Sequence, residues 1–186
     1  GAYLYDIYSL FCNSCVNNES FEDWFALNYP DQAEFAAIYD DILREFEETK
    51  VQFNYADFND LLIKMRNELK NGSAICFDEI LVDEYQDTNS LQGSLIDAFN
   101  TKSLFCVGDF DQSIYAFNGA NIEIIGSFKE RYIGANIYSL NINYRSSAKI
   151  LALANKVIAN NPRLYPKSLE VSRDGEFKSP VLLVYD

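Results

Sequence analysis

The chain has 186 residues, of which 48% are hydrophobic and 15% aromatic, which is enough to bury a core and excludes a disordered chain. Its net charge of −13 excludes the usual polybasic nucleic-acid binder, although binding by base stacking stays open. The sequence has no His and no apolar run long enough to span a bilayer. A start at Gly1 without Met indicates a fragment, and four Cys without a signal peptide favour reduced thiols and a cytoplasmic location.

The first 70 residues are predicted to be helical. Apolar side chains recur at the helical period in a helix that starts at Pro30-Asp31, and the acidic residues between them are interpreted as a solvated face. A second helix is predicted to start at Asp57, an N-cap residue type, and to stop at Asn71-Gly72. Cys12 and Cys15 form one C-x-x-C without a second pair, which favours ordinary helix residues over a zinc or redox site. The apolar stripe consists of Phe35, Ile38, Tyr39, Ile42, Leu43 and Phe46.

Short apolar runs alternate with helical patterns after Gly72. This alternation predicts an α/β fold with a parallel sheet, and residues 162–179 have the composition of a linker. The predicted strands are residues 79–83 and 104–107, both buried, together with 136–142 and 181–185. The predicted helices are residues 90–99, 121–131 and a segment that follows Ser146-Ser147 and ends at Asn161-Pro162.

Polar side chains follow three of the predicted strands, and ligands of parallel sheets bind at the carboxyl ends of strands. Asp83 and Glu84 end the first strand as in a Walker B segment, where one carboxylate holds Mg²⁺ and the next orients or deprotonates the attacking water. Gln112 follows the second strand, and its amide could hydrogen-bond a terminal phosphate or the attacking water. Arg145 follows the third and offers a fixed cation. An acidic pair at the end of a strand occurs about as often without a catalytic function as with one. Asp83-Glu84 alone therefore does not identify an active site.

Three segments together carry a family resemblance. Residues 81–89 (LVDEYQDTN), 107–120 (VGDFDQSIYAFNGA) and 140–146 (LNINYRS) resemble motifs II, III and IV of the superfamily-1 DNA helicases of the UvrD/Rep/PcrA type. The resemblance implies an α/β fold with a partial RecA-like parallel sheet and flanking helices, preceded by an α-helical segment. It further implies three domains. They are residues 1–52, the end of a 1B-like helical insert; residues 53–145, a partial RecA-like ATPase domain; and residues 146–186, the start of a second RecA-like domain or a linker.

The resemblance implies a role for each residue of an ATP site. Asp83 would coordinate Mg²⁺, and Glu84 would be the catalytic base of ATP hydrolysis. Gln112 would sense the terminal phosphate and couple it to DNA. Tyr144 would stack on the adenine, and Arg145 would be an arginine finger.

The resemblance also implies a contact with single-stranded DNA, made by the stacking of Tyr115 and Phe117 on bases. Without the motif, both aromatic side chains would be interpreted as core packing. Three positions depart from the family pattern. Phe110 stands at a usually acidic or polar position, Phe117 replaces the commoner Trp, and Asn118 stands where the family usually has Arg, which puts any salt link or phosphate contact made there in doubt.

No Gly in the chain is followed by Lys, so the phosphate-binding loop G-x-x-x-x-G-K-[ST] is missing. The missing loop predicts that the chain is a piece of a longer protein. The family resemblance implies that this protein is an ATP-dependent 3′→5′ DNA helicase of DNA repair or replication. Its expected partners are single-stranded and duplex DNA, with no membrane. By itself the chain is expected to be inactive, to bind ATP and Mg²⁺ poorly, and to self-associate through an open sheet edge.

Two other functions are compatible with parts of the sequence. A metal-dependent nuclease would use a cluster of carboxylates as a two-metal site, although the Lys that many such sites contain is absent beside them. A non-enzymatic adaptor would bind a basic partner through the acidic helix of residues 31–48. The carboxylates of the nuclease alternative are Asp83, Glu84, Asp87, Asp109 and Asp111.

Overall fold

A computed structural model describes residues 1–14, 19–72, 75–161 and 168–172. The chain divides into two compact units, Gly1–Ile125 and Gly126–Asp186. Cys15, most of the predicted linker and the predicted strand 181–185 lie outside the described residues. The three-part domain division that the family resemblance implies stays a prediction.

The first unit begins with helices and continues with alternating strands and helices, as predicted. Short 3₁₀ turns occupy Pro30–Phe35, Tyr85–Asp87, Phe110–Gln112 and Ala116–Asn118. In chain order the helices and strands are α1 (Ala2–Ser14), α2 (Phe21–Asn28), α3 (Ala36–Phe53), α4 (Phe58–Lys70), β1 (Cys76–Val82), α5 (Ser90–Ala98), β2 (Asn100–Cys106) and α6 (Ile122–Gly126), which ends at the boundary between the units.

An aromatic core holds the N-terminal helices together. Phe25 is fully buried and stacks on Tyr29, with 5.0 Å between ring centroids. Each fully buried side chain of this size stabilises the fold by about 1.5–3 kcal/mol. The predicted helix start at Pro30-Asp31 is wrong, because a 3₁₀ turn extends to Phe35 and the α-helix begins at Ala36. Of the predicted apolar stripe, Leu43 is buried and Tyr39 packs against the core, whereas Ile38 is exposed. The buried core residues are Ile7, Phe21, Trp24, Phe25, Ala36 and Leu43.

Helix α4 begins and ends where the sequence predicts. The Asp57 carboxylate accepts a hydrogen bond from the Asp60 N–H, and the Asp60 carboxylate accepts one from the Asp57 N–H, both at 2.9 Å. Such a reciprocal capping box satisfies two amide groups that the helix itself leaves unpaired. At the other end, Gly72 has a φ of +90° and its N–H donates to the Leu69 carbonyl. Both predicted helix signals are confirmed.

Strands β1 and β2 are parallel neighbours, with Val82 opposite Cys106 at their carboxyl ends. Hydrogen bonds continue past the strands, from the Val107 N–H to the Val82 carbonyl at 2.8 Å and from the Tyr85 N–H to the Val107 carbonyl at 2.9 Å. The strands end at the same edge, as predicted. Their predicted burial is wrong, because in the described residues the sheet has two strands and much of its surface is uncovered.

The second unit contains α7 (Phe128–Arg131), β3 (Ile142–Asn143), α8 (Ala148–Ile158) and β4 (Glu170–Val171). The predicted strand 136–142 is wrong for most of its length, because no described strand pairs with residues 136–141. The predicted helix 121–131 is interrupted at Ser127 and forms α6 and α7 instead. Helix α8 follows Ser147 as predicted, and it buries Leu151. None of the described helices is long and apolar enough to cross a membrane.

Candidate active site

The acidic pair follows β1 directly and sits in a tight turn. The Glu84 N–H donates to Asp83 Oδ1 at 2.9 Å. Glu84 has a φ of 50°, a left-handed backbone conformation that is uncommon outside glycine and costs on the order of 1–3 kcal/mol. Both acidic residues are exposed. A strained turn that carries two accessible carboxylates is typical of a functional site.

Gln86 connects this turn to the loop that follows β2. Its side chain is 2% exposed, and its Nε2 donates to Glu84 Oε2 at 2.7 Å and to Asp87 Oδ2 at 3.3 Å. Its Oε1 accepts the Asp109 N–H at 2.9 Å. The backbone carbonyl of Gln86 also accepts a hydrogen bond from the Ser113 hydroxyl at 3.2 Å. One buried residue therefore joins the two loops at the carboxyl edge of the sheet.

Gly108 allows the two loops to come this close. A Cβ atom at Gly108 would lie 2.9 Å from Gln86 Oε1, 3.2 Å from the Gln86 backbone nitrogen and 3.2 Å from Ile125 Cδ1. Any larger residue would push against an amide that its own hydrogen bonds hold in place. Glycine at position 108 is thus a consequence of the contact with Gln86.

Gln112 belongs to the same hydrogen-bonded network. Asp109 accepts the Asp111 N–H through Oδ1 at 3.1 Å, which closes a short turn, and it accepts the Gln112 side-chain amide through Oδ2 at 2.7 Å. The network runs from the Glu84 carboxylate through Gln86 and Asp109 to the Gln112 amide. Two of the predicted site residues, Glu84 and Gln112, are therefore linked in the structure, and Asp83 adjoins the first.

A cavity of about 400 Å³ opens beside the acidic turn. Asp87 Oδ1 is buried and has no hydrogen-bond partner among the described residues. The cavity is lined by Val82, Asp83, Glu84, Asp87 and Thr88 on the loop side and by Gln92, Leu95, Ile96 and Phe99 on the side of α5.

The donor set beside the cavity fits Mg²⁺. This ion prefers oxygen ligands and usually binds through one or two carboxylates together with phosphate oxygens and water, and the turn offers the carboxylates of Asp83 and Glu84. Within the described ranges no three His, Cys, Asp or Glu side chains are grouped so that they could hold a metal ion by themselves. The five carboxylates that the nuclease alternative would use are therefore not grouped as a metal site either.

Tyr115 and Phe117 form an aromatic pair at the surface of the first unit. Their exposed fractions are 44% and 69%, and their ring centroids are 5.8 Å apart with 46° between the planes. The core packing that their residue type suggests is therefore not what the structure shows. The side chain of Asn118, the departure from the family pattern, lies outside the described part of the chain.

Tyr144 and Arg145 follow β3 in the second unit. Both side chains are exposed. The Asn143 side-chain oxygen accepts the N–H groups of Arg145 at 3.1 Å and Ser146 at 2.7 Å. This short turn fixes the backbone that presents the two predicted nucleotide contacts.

Parallel strands that end in an acidic pair and a linked amide define a partial RecA-like α/β fold. The UvrD/REP helicase N-terminal domain matches residues 7–133, and the chain belongs to this family. A probable DNA helicase II homolog of Mycoplasma capricolum is 44% identical over 135 residues, which cover 68% of this chain and 18% of that protein.

Two further relatives give the same result. The ATP-dependent DNA helicase PcrA of Staphylococcus aureus is 44% identical over 121 residues, covering 61% of this chain and 17% of that protein. The putative ATP-dependent DNA helicase YjcD of Bacillus subtilis is 37% identical over 149 residues, covering 76% and 20%. The chain spans about a fifth of the length of these curated relatives.

Sequence reasoning missed Gln86, Gly108 and the linking role of Asp109. All three lie inside the segments that resemble the family motifs, so the sequence did mark these segments as functional. Their roles depend on a contact between two loops, and no periodic pattern in a sequence reports such a contact. One signal in the sequence points to Gln86. It is a polar residue that lies between Glu84 and Asp87, just after a predicted strand.

Proposed function

We propose that this chain is part of a longer ATP-dependent DNA helicase, in which it forms one wall of the ATP site and part of the DNA-binding surface. The observation that carries the proposal is the hydrogen-bonded network that joins Glu84 to Gln112 at the carboxyl edge of the parallel strands. Membership of the UvrD/REP family and the helicase names of the relatives support it. The proposed activity is 3′→5′ unwinding in repair or replication.

The proposed location is the cytoplasm. Among the described residues Cys12 and Cys76 form no disulfide, and free thiols persist in a reducing compartment. Burial raises the pKa of the Cys12 thiol to about 11, so this thiol is protonated at neutral pH and poorly reactive.

Each polar group of the first unit has a defined part in the proposed hydrolysis. Asp83 holds Mg²⁺, which when bound neutralises the charge of the terminal phosphates. Glu84 orients the attacking water and accepts its proton. The Gln112 amide exchanges its bond to Asp109 for one to the terminal phosphate, which makes the loop respond to the nucleotide.

Two nucleotide contacts are proposed for the second unit from the family motif that it carries. Tyr144 stacks on the adenine through its exposed ring, and Arg145 brings a guanidinium to the charge that develops on the phosphate.

The isolated chain is expected to lack activity. A phosphate-binding loop needs backbone N–H groups and a Lys to surround the phosphates, and the chain contains no Gly-Lys pair. ATP binding by the isolated chain is therefore expected to be undetectable or to have a Kd of about 1 mM, equivalent to about −4 kcal/mol. The residues shown here act only together with the rest of the proposed helicase.

The decisive experiment replaces Glu84 by Gln in the full-length protein. The substitution keeps the shape of the side chain and removes the base, so ATP turnover is expected to fall by about 10²–10⁴-fold while nucleotide binding is retained. Glu79→Gln, the same chemical change at an exposed position of β1, the strand that precedes Glu84, is the matched control and should leave turnover unchanged. Normal hydrolysis by the Glu84→Gln protein would show that Glu84 is not the base.

A further inference from the structure

Gln86 uses every polar atom of its side chain between the two loops. Its two amide hydrogens go to Glu84 and Asp87, and its oxygen accepts the Asp109 N–H. Buried hydrogen bonds to a carboxylate are stronger than those between neutral groups, because the surroundings screen them less. An amide that is 2% exposed and fully bonded restricts any flexible side chain that it contacts.

We propose that Gln86 is a positioning residue that holds the Glu84 carboxylate in its hydrolytic orientation and ties that orientation to the loop carrying Gln112. The inference rests on the proposed function, since it assigns to Gln86 an effect on the base of that reaction. Glu84 is itself exposed and has three rotatable side-chain bonds, so it has many orientations of similar energy. The bond from Gln86 occupies Oε2 and leaves Oε1 for water.

The geometry requires an amide at position 86. A Gln side chain donates and accepts from one planar group, so it can bind a carboxylate on one side and a backbone N–H on the other. A Glu side chain would still accept the Asp109 N–H but could not donate to Glu84 as a carboxylate. A Met side chain of similar length would make neither bond. Gly108 completes the arrangement, because a Cβ there would displace the amide oxygen.

These differences separate a positioning role from a merely structural one. In the full-length protein, Gln86→Glu and Gln86→Met are both expected to lower kcat for ATP by about tenfold to 100-fold, with KM changed less than about twofold, because the base is misplaced while substrate binding is intact. If Gln86 only connects the two loops, the Gln86→Glu protein keeps that connection through the Asp109 N–H. It should then hydrolyse ATP at the wild-type rate. That result would overturn the inference.

Two further variants keep the test decisive. Gly108→Ala displaces the amide without changing it, so the same loss of kcat at constant KM is expected, and wild-type kcat in this variant would contradict the inference even if Gln86→Met does not fold. Asp57→Ala, which removes the remote cap of α4, controls for lost stability. Its melting temperature should fall while its kcat is unchanged.

Glu84→Gln, measured beside these variants, distinguishes the two proposals. If Glu84→Gln still hydrolyses ATP normally, the proposed function fails and the inference fails with it. If Glu84→Gln is inactive while Gln86→Glu, Gln86→Met and Gly108→Ala all turn over normally, the inference alone is wrong.

Discussion

Tyr115 and Phe117 illustrate how exposure decides the meaning of an aromatic residue. Phe and Tyr are abundant in this chain, and most residues of these types are expected to pack in cores. The structure instead places both rings at the surface, in contact with each other. Exposed rings in the segment that follows Gln112 suit sequence-independent stacking on unpaired bases. In the proposed helicase, these two rings would contribute DNA affinity by stacking rather than by charge.

Phe117→Ala in the full-length protein is expected to weaken single-stranded DNA binding by about fivefold to 150-fold, because base stacking on an aromatic ring contributes about 1–3 kcal/mol. DNA-stimulated ATP turnover should fall more than basal turnover. Phe53, which stacks on Tyr55 in another exposed pair with 5.9 Å between centroids, provides the control variant Phe53→Ala. Fluorescence anisotropy with labelled DNA measures the affinities, and equal losses in both variants would contradict the assignment to Phe117.

Helices α3 and α4 are joined by one buried cation. Lys50 lies 2.6 Å from the Glu47 carboxylate, 3.2 Å from Asp57 and 3.0 Å from Asp60, and its ammonium group is 5.0 Å from the Phe46 ring centroid. Burial by itself lowers the pKa of Lys50, but hydrogen bonds to the three carboxylates outweigh it and raise the pKa above its ordinary value. Lys50 therefore stays charged and holds the end of one helix to the start of the next.

Lys50→Met is expected to lower the free energy of unfolding by about 3–5 kcal/mol, since it leaves partly buried carboxylates without their cation. Lys102→Met is the matched control. Lys102 pairs with Asp78 at 2.7 Å, but both side chains are exposed, and such pairs contribute about 0–1 kcal/mol. Urea denaturation of both variants measures the difference, and a similar loss in the two would mean that Lys50 does not bridge the helices.

The same cluster predicts a loss of stability in acid. Burial acts to raise the pKa of Asp60, but the hydrogen bonds from the Asp57 N–H and from Lys50 prevail and lower it. A lowered pKa in the folded state means that the contribution is complete above the unfolded value of about 3.9 and is lost as the pH falls through the folded value. The stability difference between wild type and Asp60→Asn, measured by denaturation, should be constant from pH 7 to 5 and shrink below about pH 4. A difference that grows in acid would contradict this sign.

Elements with local signals could be predicted from the sequence, and those that depend on neighbours could not. The boundaries of α4 follow from Asp57 and Gly72, whose effects act within one helical turn. The burial of β1 depends on what covers it, and alternation at Tyr138 and Leu140 produced no strand because no described strand pairs with them. Asp83 and Gln112 were predicted as site residues from their places after strands, and those roles stay predictions. Gln86 could not be predicted in this way, because it meets Asp109 across 23 residues of chain.

In the part of the chain that the structure describes, one face of the first sheet is uncovered. Leu81 and Phe105 are paired in the parallel register and are 69% and 53% exposed. Phe77 lies four residues before Leu81 on the same face of the strand and is also exposed. Each strand has a single hydrogen-bonded neighbour in the described residues. Unpaired strand edges beside apolar side chains tend to pair with other chains.

The isolated 186-residue chain is therefore expected to self-associate, with a molar mass in light scattering that rises with concentration. Leu81→Lys combined with Phe105→Lys places charges on the uncovered face and should restore a monomer, because Lys opposes edge-to-edge pairing. Ile133→Lys, at an exposed apolar position of the second unit, adds charge elsewhere and should leave the association unchanged. A wild-type chain that stays monomeric at high concentration and melts cooperatively would show that this face does not drive association.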